Sequence, residues 1–249
     1  MVPILNKKVN IEYYEKHNRD SEAKVKKKQQ VDYLLEKIKD FSTPRGAKVL
    51  DAGCGVGLFG AEFRSRFKAS VYGFDISKSA VVLANQNGIN ARLADIDSKW
   101  PYENSYFDIV LGIQIIEHVF NTDNFFIESN RVLKKGGKLI ISTPNLAAWY
   151  NRIIFLLGYQ PFFTEVSTAD KTLGLDFTRK LTSNREALGH LRVFTLRALE
   201  DILTMYEFRV VKKIGGAISY LPLVMKPFDV FFANFPSLAS DLILIARKA

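Results

Sequence analysis

The stretch VLDAGCGVGLFG, Val49 to Gly60, decides the fold of this 249-residue chain. Its last eight residues hold four glycines, at positions 53, 55, 57 and 60. Glycine is costly inside a helix or strand, so such a cluster marks a tight turn or a backbone that must come close to a ligand. Two glycine patterns overlap there. Gly55, Gly57 and Gly60 spell G-x-G-x-x-G, the dinucleotide fingerprint, and Gly53, Gly55 and Gly57 spell G-x-G-x-G. Both expect a strand before the turn, a helix after it, and an acid at the end of the next strand, which Asp75 supplies. Asp51 separates them. A carboxylate just before the first glycine repels a pyrophosphate and suits a ligand that carries an ammonium group.

The rest of the chain fits a parallel α/β architecture. AKVLDAG reads as a buried strand and LFGAEFRSRF as a helix with Phe59, Phe63 and Phe67 on one side. SVYGFD is a second strand, followed by a helix capped by Ser77 and stopped at Gly88. INARLAD and FDIVLGI give a third and fourth strand. NTDNFFIESNRVLKKGG reads as a helix ending in a Gly-Gly turn, and KLIISTPN as the fifth strand. Alternating strands and helices imply right-handed crossovers and a sheet covered on both faces. Residues 1–46 read as a polar helical extension, and 47–249 as one domain with two interruptions, at about 146–194 and 217–237. The first is longer than a connecting loop should be.

Composition bounds the function. Hydrophobic residues at 47% and charged residues at 24% describe a globular chain that buries a core. No apolar run approaches the length of a membrane span, and the first residues lack the apolar core of a signal peptide. Cys54 is the only cysteine, which excludes an internal disulfide and makes the cytoplasm the expected location. The net charge of +9 is spread out; KVKKK, Lys24 to Lys28, is its one dense run. Lying before Val31, Leu34, Leu35, Ile38 and Phe41, it reads as a solvated helix face, with nucleic acid or an anionic membrane as the alternative partner.

VLDAGCGVG, VYGFD, ADIDSKWPYENSYFDIVLG and RVLKKGGKLIISTPN, over residues 47–145, resemble the successive motifs of class I S-adenosylmethionine-dependent methyltransferases. The resemblance implies a Rossmann-like, doubly wound seven-stranded sheet, mostly parallel with an antiparallel last strand, plus a helical and apolar cover. FRVVKKIGG and LILIARK would supply its sixth and seventh strands. It implies S-adenosylmethionine as cofactor, with Asp51, Gly53, Gly55 and Gly57 by its methionine part and Asp75 with Ile76 at its ribose. Asp95 and the Ile96 backbone would read the adenine, and Gln114 would lie near the methionine moiety. Asp95 could instead cap a turn. Asp108 reads as an organiser of the fourth strand and Cys54 as a small buried filler.

A hydroxyl acceptor must lose a proton, to a base or through a metal. That draws attention to IQIIEHVF, where a helix would align Gln114, Glu117 and His118, and to His190 in GHLRVFTLRAL. The pairing resembles the metal-assisted O-methyltransferases of ubiquinone synthesis and small-RNA 2′-O-methyltransferases, whose motif is E-x-x-E-H. Here Gln114 stands at the first acid, and the metal-free version of Glu117, His118 and His190 is the preferred expectation. LAAWYNRIIFLLGYQPFF and YLPLVMKPFDVFFANF, in the two interruptions, are expected to close over the acceptor; a dimer interface and peripheral contact with a membrane surface are the alternatives. The first segment also resembles methyltransferases of surface-glycan and lipid-linked sugar assembly. The expected partner is a small or lipid-linked hydroxyl acceptor. RNA methylation and a catalytically silent cofactor-binding protein are the rivals.

Overall fold

The computed structural model describes residues 21–41, 43–178, 185–217 and 221–249. Of residues 1–46, the first twenty lie outside the described ones; Ser21–Lys37 form α1, in which Leu34 and Leu35 are buried, as is Ile38 just after it. Then come β1 (Lys48–Ala52), α2 (Leu58–Phe67), β2 (Ser70–Asp75), α3 (Lys78–Gln86), β3 (Asn90–Leu93) and β4 (Phe107–Ile113). A one-turn 3-10 helix at Ile116–His118 leads to α4 (Thr122–Val132) and β5 (Leu133–Pro144). After α5 (Trp149–Leu156) the alternation returns with α6 (Leu196–Met205), β6 (Phe208–Gly216), α7 (Lys226–Phe232) and β7 (Asp241–Lys248). One seven-stranded sheet results, in the order β3-β2-β1-β4-β5-β7-β6, with β7 antiparallel to both neighbours.

The chain forms two compact units. One holds the described residues up to Ile113 together with Asp123–Ile140 and Arg247–Ala249; the other holds Gln114–Thr122 and Ile141–Ala246. In the first, β1 pairs with β2 and β4 in parallel, so that Asp51 stands beside Gly73 on one side and Leu111 on the other. Its core is aromatic. Phe74, Trp100 and Phe125 follow one another at centroid distances of 5.1 and 5.6 Å. The Trp100 backbone N–H donates to the Glu128 carboxylate at 2.7 Å, which Arg131 also neutralises, so the indole is fixed by a buried ion pair as well as by packing. Asp108 accepts from the Lys48 N–H at 2.9 Å and from Lys134 Nζ at 2.6 Å, tying the start of β1 to β4 as the sequence suggested.

Two elements depart from the sequence reading. The helix expected to run to the Gly-Gly pair stops at Val132, and Lys134 to Gly137 belong to β5. Its C-terminal end is held by a distant residue: Lys248 Nζ donates to Asn130 O in the last turn at 2.6 Å and to Leu133 O, the first residue of β5, at 2.9 Å. A cation at a helix C-terminus is favourable, and no local signal announces this one. The segment after β4 is a single 3-10 turn and no α-helix, because Gln114 leaves the strand with φ +51°, a left-handed backbone that no helix continues.

In the second unit Asn145 organises the end of β5. It donates to Ala239 O at 2.7 Å and forms an isolated parallel bridge with Phe194. Thr195 caps α6 by accepting from the Ala198 N–H at 3.2 Å, and the helix then buries Leu199 and Leu203.

Gly57 is bare for reasons of packing. Its φ is +79°, and a Cβ there would lie 2.9 Å from Ala84 Cα. Gly57→Ala is therefore expected to cost about 1–3 kcal/mol of stability, from left-handed strain and the clash with α3. Urea unfolding checks this; an unchanged midpoint would contradict it.

Candidate functional site

The glycine turn sits where β1 ends. Gly53, Gly55 and Gly57 have φ of +70, +52 and +79°, so alternate residues of the turn are left-handed. The Gly53 and Cys54 N–H groups both donate to Phe74 O at 3.0 Å, anchoring the turn on β2. The Gly55 N–H donates to Asp75 Oδ2 at 2.8 Å, while Asp75 Oδ1 accepts from the Ser77 N–H at 2.9 Å. These bonds orient the Asp75 carboxylate toward the turn. A Cβ built at Gly55 meets nothing within 4 Å. The turn thus presents bare backbone to open space at its centre.

Asp51 is buried beneath the turn. Desolvation and the Asp75 charge push its carboxyl from 3.8 to about 7, against the pull of the Gly60 backbone. Its Oδ2 has no hydrogen-bond partner. Cys54 fills the space behind: burial pushes its thiol far up, and its Cβ and Sγ lie 2.9 Å from where a Gly73 Cβ would be. Ile76 follows Asp75 directly, between β2 and the Ser77 cap. Asp95 does close a turn, accepting from the Asp97 N–H at 3.0 Å. The Ile96 carbonyl accepts from Trp100 Nε1 and Asn124 Nδ2, both at 3.1 Å. All of these residues lie in the first unit.

These residues fit S-adenosylmethionine. An orphaned buried carboxylate oxygen, open space over Gly55 and two further acids suit a cationic sulfonium and ammonium with ribose hydroxyls.

The second unit gathers the other expected residues. Glu117, His118 and His190 bring ligand-type atoms within 4.8 Å of one another, and the two imidazoles meet edge to face at a centroid distance of 4.8 Å. His118 Nδ1 lies 3.1 Å from Gly189 O and His190 Nδ1 lies 3.3 Å from Phe163 O. A carbonyl only accepts, so each ring carries its proton on Nδ1 and Nε2 is the acceptor nitrogen. Burial lowers both imidazoles, His118 to about 3 with help from His190, and His190 to about 4. Burial pushes Glu117 up to about 8, although Thr143 Oγ1 donates to its Oε2 at 2.9 Å. Burial thus favours the uncharged form of all three groups.

Gln114 is oriented through its amide nitrogen. Its Nε2 donates to Asp241 Oδ1 at 2.9 Å and Ser142 Oγ at 3.2 Å. Burial raises Asp241 to about 7, so this amide pairs with a carboxyl that is partly protonated. Sequence reasoning missed Asp241, although an acid opening the apolar run LILIA was a visible anomaly. It also missed Glu165. That carboxylate accepts from three consecutive backbone N–H groups, of Leu188, Gly189 and His190, at 2.6, 2.8 and 3.2 Å. It thereby fixes both the Gly189 carbonyl that orients His118 and the His190 ring itself. The Glu117 carbonyl completes the clasp by accepting the Leu191 N–H at 2.7 Å.

The methyltransferase domain family matches residues 20–213, and the chain belongs to it. The chain is 37% identical over 115 residues to a ubiquinone biosynthesis O-methyltransferase of Pelagibacter ubique, covering 44% of this chain and 47% of that one. It is 35% identical over 119 residues to the corresponding enzyme of a Bradyrhizobium strain, covering 45% and 46%. It spans about half the length of the curated relatives it matches. Among solved structures, a chain of the complex between the Haloferax volcanii Trm112 methyltransferase activator and a methyltransferase superposes with a TM-score of 0.66 at 13% identity, over 94% of this chain and 96% of that one. An S-adenosylmethionine-dependent methyltransferase of Methanosarcina mazei gives 0.60 at 20% identity, over 85% and 96%. These confirm the class I methyltransferase fold that the four ordered motifs implied.

The depressed imidazoles give a direct expectation. His118 and His190 stay neutral and Nδ1-protonated from pH 8 down to about 5, because protonation would put a desolvated charge beside a second ring. Ring 15N NMR across that range checks it; titration near 6.5 would contradict it.

Proposed function

We propose that this chain transfers a methyl group from S-adenosylmethionine to a hydroxyl of a small or lipid-linked acceptor. The observation that carries the reading is the glycine turn: open backbone at Gly55, flanked by Asp75 and underlain by the orphaned Asp51 oxygen. When bound, the cofactor supplies an electrophilic methyl on a sulfonium. The chain's own residues then have distinct tasks. Asp51 offsets the ligand's positive charge, and Asp75 accepts from ribose hydroxyls while holding Gly55 in place. Asp95 and the Ile96 backbone border the base.

The acceptor proton falls to Glu117, His118 and His190. Neutral imidazoles with fixed Nδ1 protons accept at Nε2, and Glu117, once ionised, would stabilise the imidazolium beside it. This is the metal-free version. A second version has the same three residues hold a divalent ion that lowers the hydroxyl's pKa. Both Nδ1–H groups are pinned to carbonyls, as ligating histidines usually are, and a cation would ionise Glu117. O-Methylation by the curated relatives supports a hydroxyl acceptor in either version.

Purified protein is expected to bind S-adenosylmethionine and its homocysteine product. Asp75→Ala should weaken that binding by about 1–3 kcal/mol through lost charge-assisted hydrogen bonds. Calorimetry that finds NAD binding in its place would overturn the cofactor assignment. With a turnover assay in hand, His118→Ala and His190→Ala should each lower kcat by about 10²-fold or more while leaving cofactor affinity nearly unchanged. Equal losses in both would mean that the cluster merely supports the fold. Chelation that abolishes turnover, with recovery on adding Mg²⁺ or Mn²⁺, selects the metal version.

A further inference from the structure

Two helices of the second unit are built inside out. In α7, Asp229 is buried while Phe228, Val230 and Phe231 are exposed. In α5, Tyr150 and Asn151 are buried while Ile153, Phe155 and Leu156 face outward, and Leu157 and Tyr159 continue the run. The most exposed side chains are Leu156 at 86% and, in the turn before α7, Leu223 at 81%. A soluble helix puts its apolar stripe inward and its charges outward. Scattered exposed apolar residues are ordinary; a cluster of this size is not.

The two helices present one surface. Trp149 stacks on Phe232 at a centroid distance of 5.3 Å and donates its Nε1–H to Asp229 Oδ1 at 3.0 Å. Asp229 also bonds the Ser240 hydroxyl. Arg152 Nη2 donates to Ser237 O at 3.0 Å, joining α5 to the segment after α7. The buried polar groups thus hold the outward apolar face rigid. No described helix is long and apolar enough to cross a membrane, and α5 and α7 have only eight and seven residues.

Charge points to one occupant. Across residues 146–163 and 221–240 the cations are Arg152 and Lys226, and the single carboxylate is Asp229, which is buried. A second copy docking through a two-fold axis would bring the same patch against itself, cation near cation, with no exposed carboxylate in these segments to relieve them. An anionic bilayer answers both features, accepting the apolar tips at its headgroup boundary and attracting the cations. We infer that the exposed faces of α5 and α7 with Leu223 and Val224 dock this protein on an anionic lipid surface.

Sedimentation of the full chain with vesicles tests this, using phosphatidylcholine alone or phosphatidylcholine mixed equally with phosphatidylglycerol. Partitioning to the anionic vesicles is expected to exceed that to the neutral ones by about tenfold and to fall as salt rises. The double variant Leu156→Glu, Phe228→Glu should lose at least about tenfold of it while keeping the thermal midpoint, since both side chains are already exposed. No partitioning, equal partitioning to both vesicles, or an unaffected variant would overturn the inference. So would a concentration-dependent dimer or a protein partner that the same variant releases without any vesicle binding.

Discussion

Everything at the cofactor side hangs on the hydrogen bond from the Gly55 N–H to the Asp75 carboxylate, 2.8 Å long. It ties the turn after β1 to the end of β2, and the pairing of Asp51 with Gly73 brings those two strand ends level. The glycines permit the left-handed path, Cys54 fills the room that Gly73 leaves, and Gly57 lets α3 approach. A side chain at any of these points would close the opening or push the elements apart. The result is a backbone concavity over a buried acid, a poor place for phosphate and a good one for a cation.

The second unit solves a different problem, which is how to keep polar groups dry and still ordered. Buried polar groups are costly unless each is bonded. Glu117 therefore accepts from Thr143, Gln114 joins Asp241 and Ser142, and both imidazoles donate to carbonyls. Glu165 binds three N–H groups and so turns a loop into a fixed support for His190. Desolvation favours the uncharged forms of the cluster, and a neutral imidazole offers Nε2 as an acceptor for a proton or a metal.

Much of this was legible in the sequence because the signals were local. Strand after strand appears where apolar runs end in Gly or Asp, and SVYGFD, FDIVLGI and FRVVKKIGG coincide with β2, β4 and β6. His118 and His190 drew notice through IQIIEHVF and GHLRVFTLRAL, and the structure does bring them together. What failed was non-local. Lys-Lys-Gly-Gly looks like a helix end, but the true cap is Lys248, more than a hundred residues away. Glu165 acts only on backbone N–H groups over twenty residues further on, which no spacing rule anticipates. The apolar runs at Leu146–Phe163 and Tyr220–Phe235 suggested a closing cover; Tyr220 lies outside the described residues, and which of the others are exposed, Phe155, Leu156, Leu223 and Phe228 among them, is set by packing that no local pattern gives.

A buried acid beneath bare glycine backbone favours a cationic cofactor. Burial and the Asp75 charge push the Asp51 carboxyl up to about 7, and an arriving ammonium or sulfonium would favour its ionised form. S-Adenosylmethionine binding should therefore release a proton, with affinity rising from pH 6 to about 7.5 as less proton must be displaced. Asp51→Asn should abolish that rise. Isothermal titration in buffers of different ionisation enthalpy reads both quantities at once. An affinity that climbs with pH, proton release, and a flat profile in the variant are the predicted results. Tight binding with no pH dependence and no proton released would contradict the account.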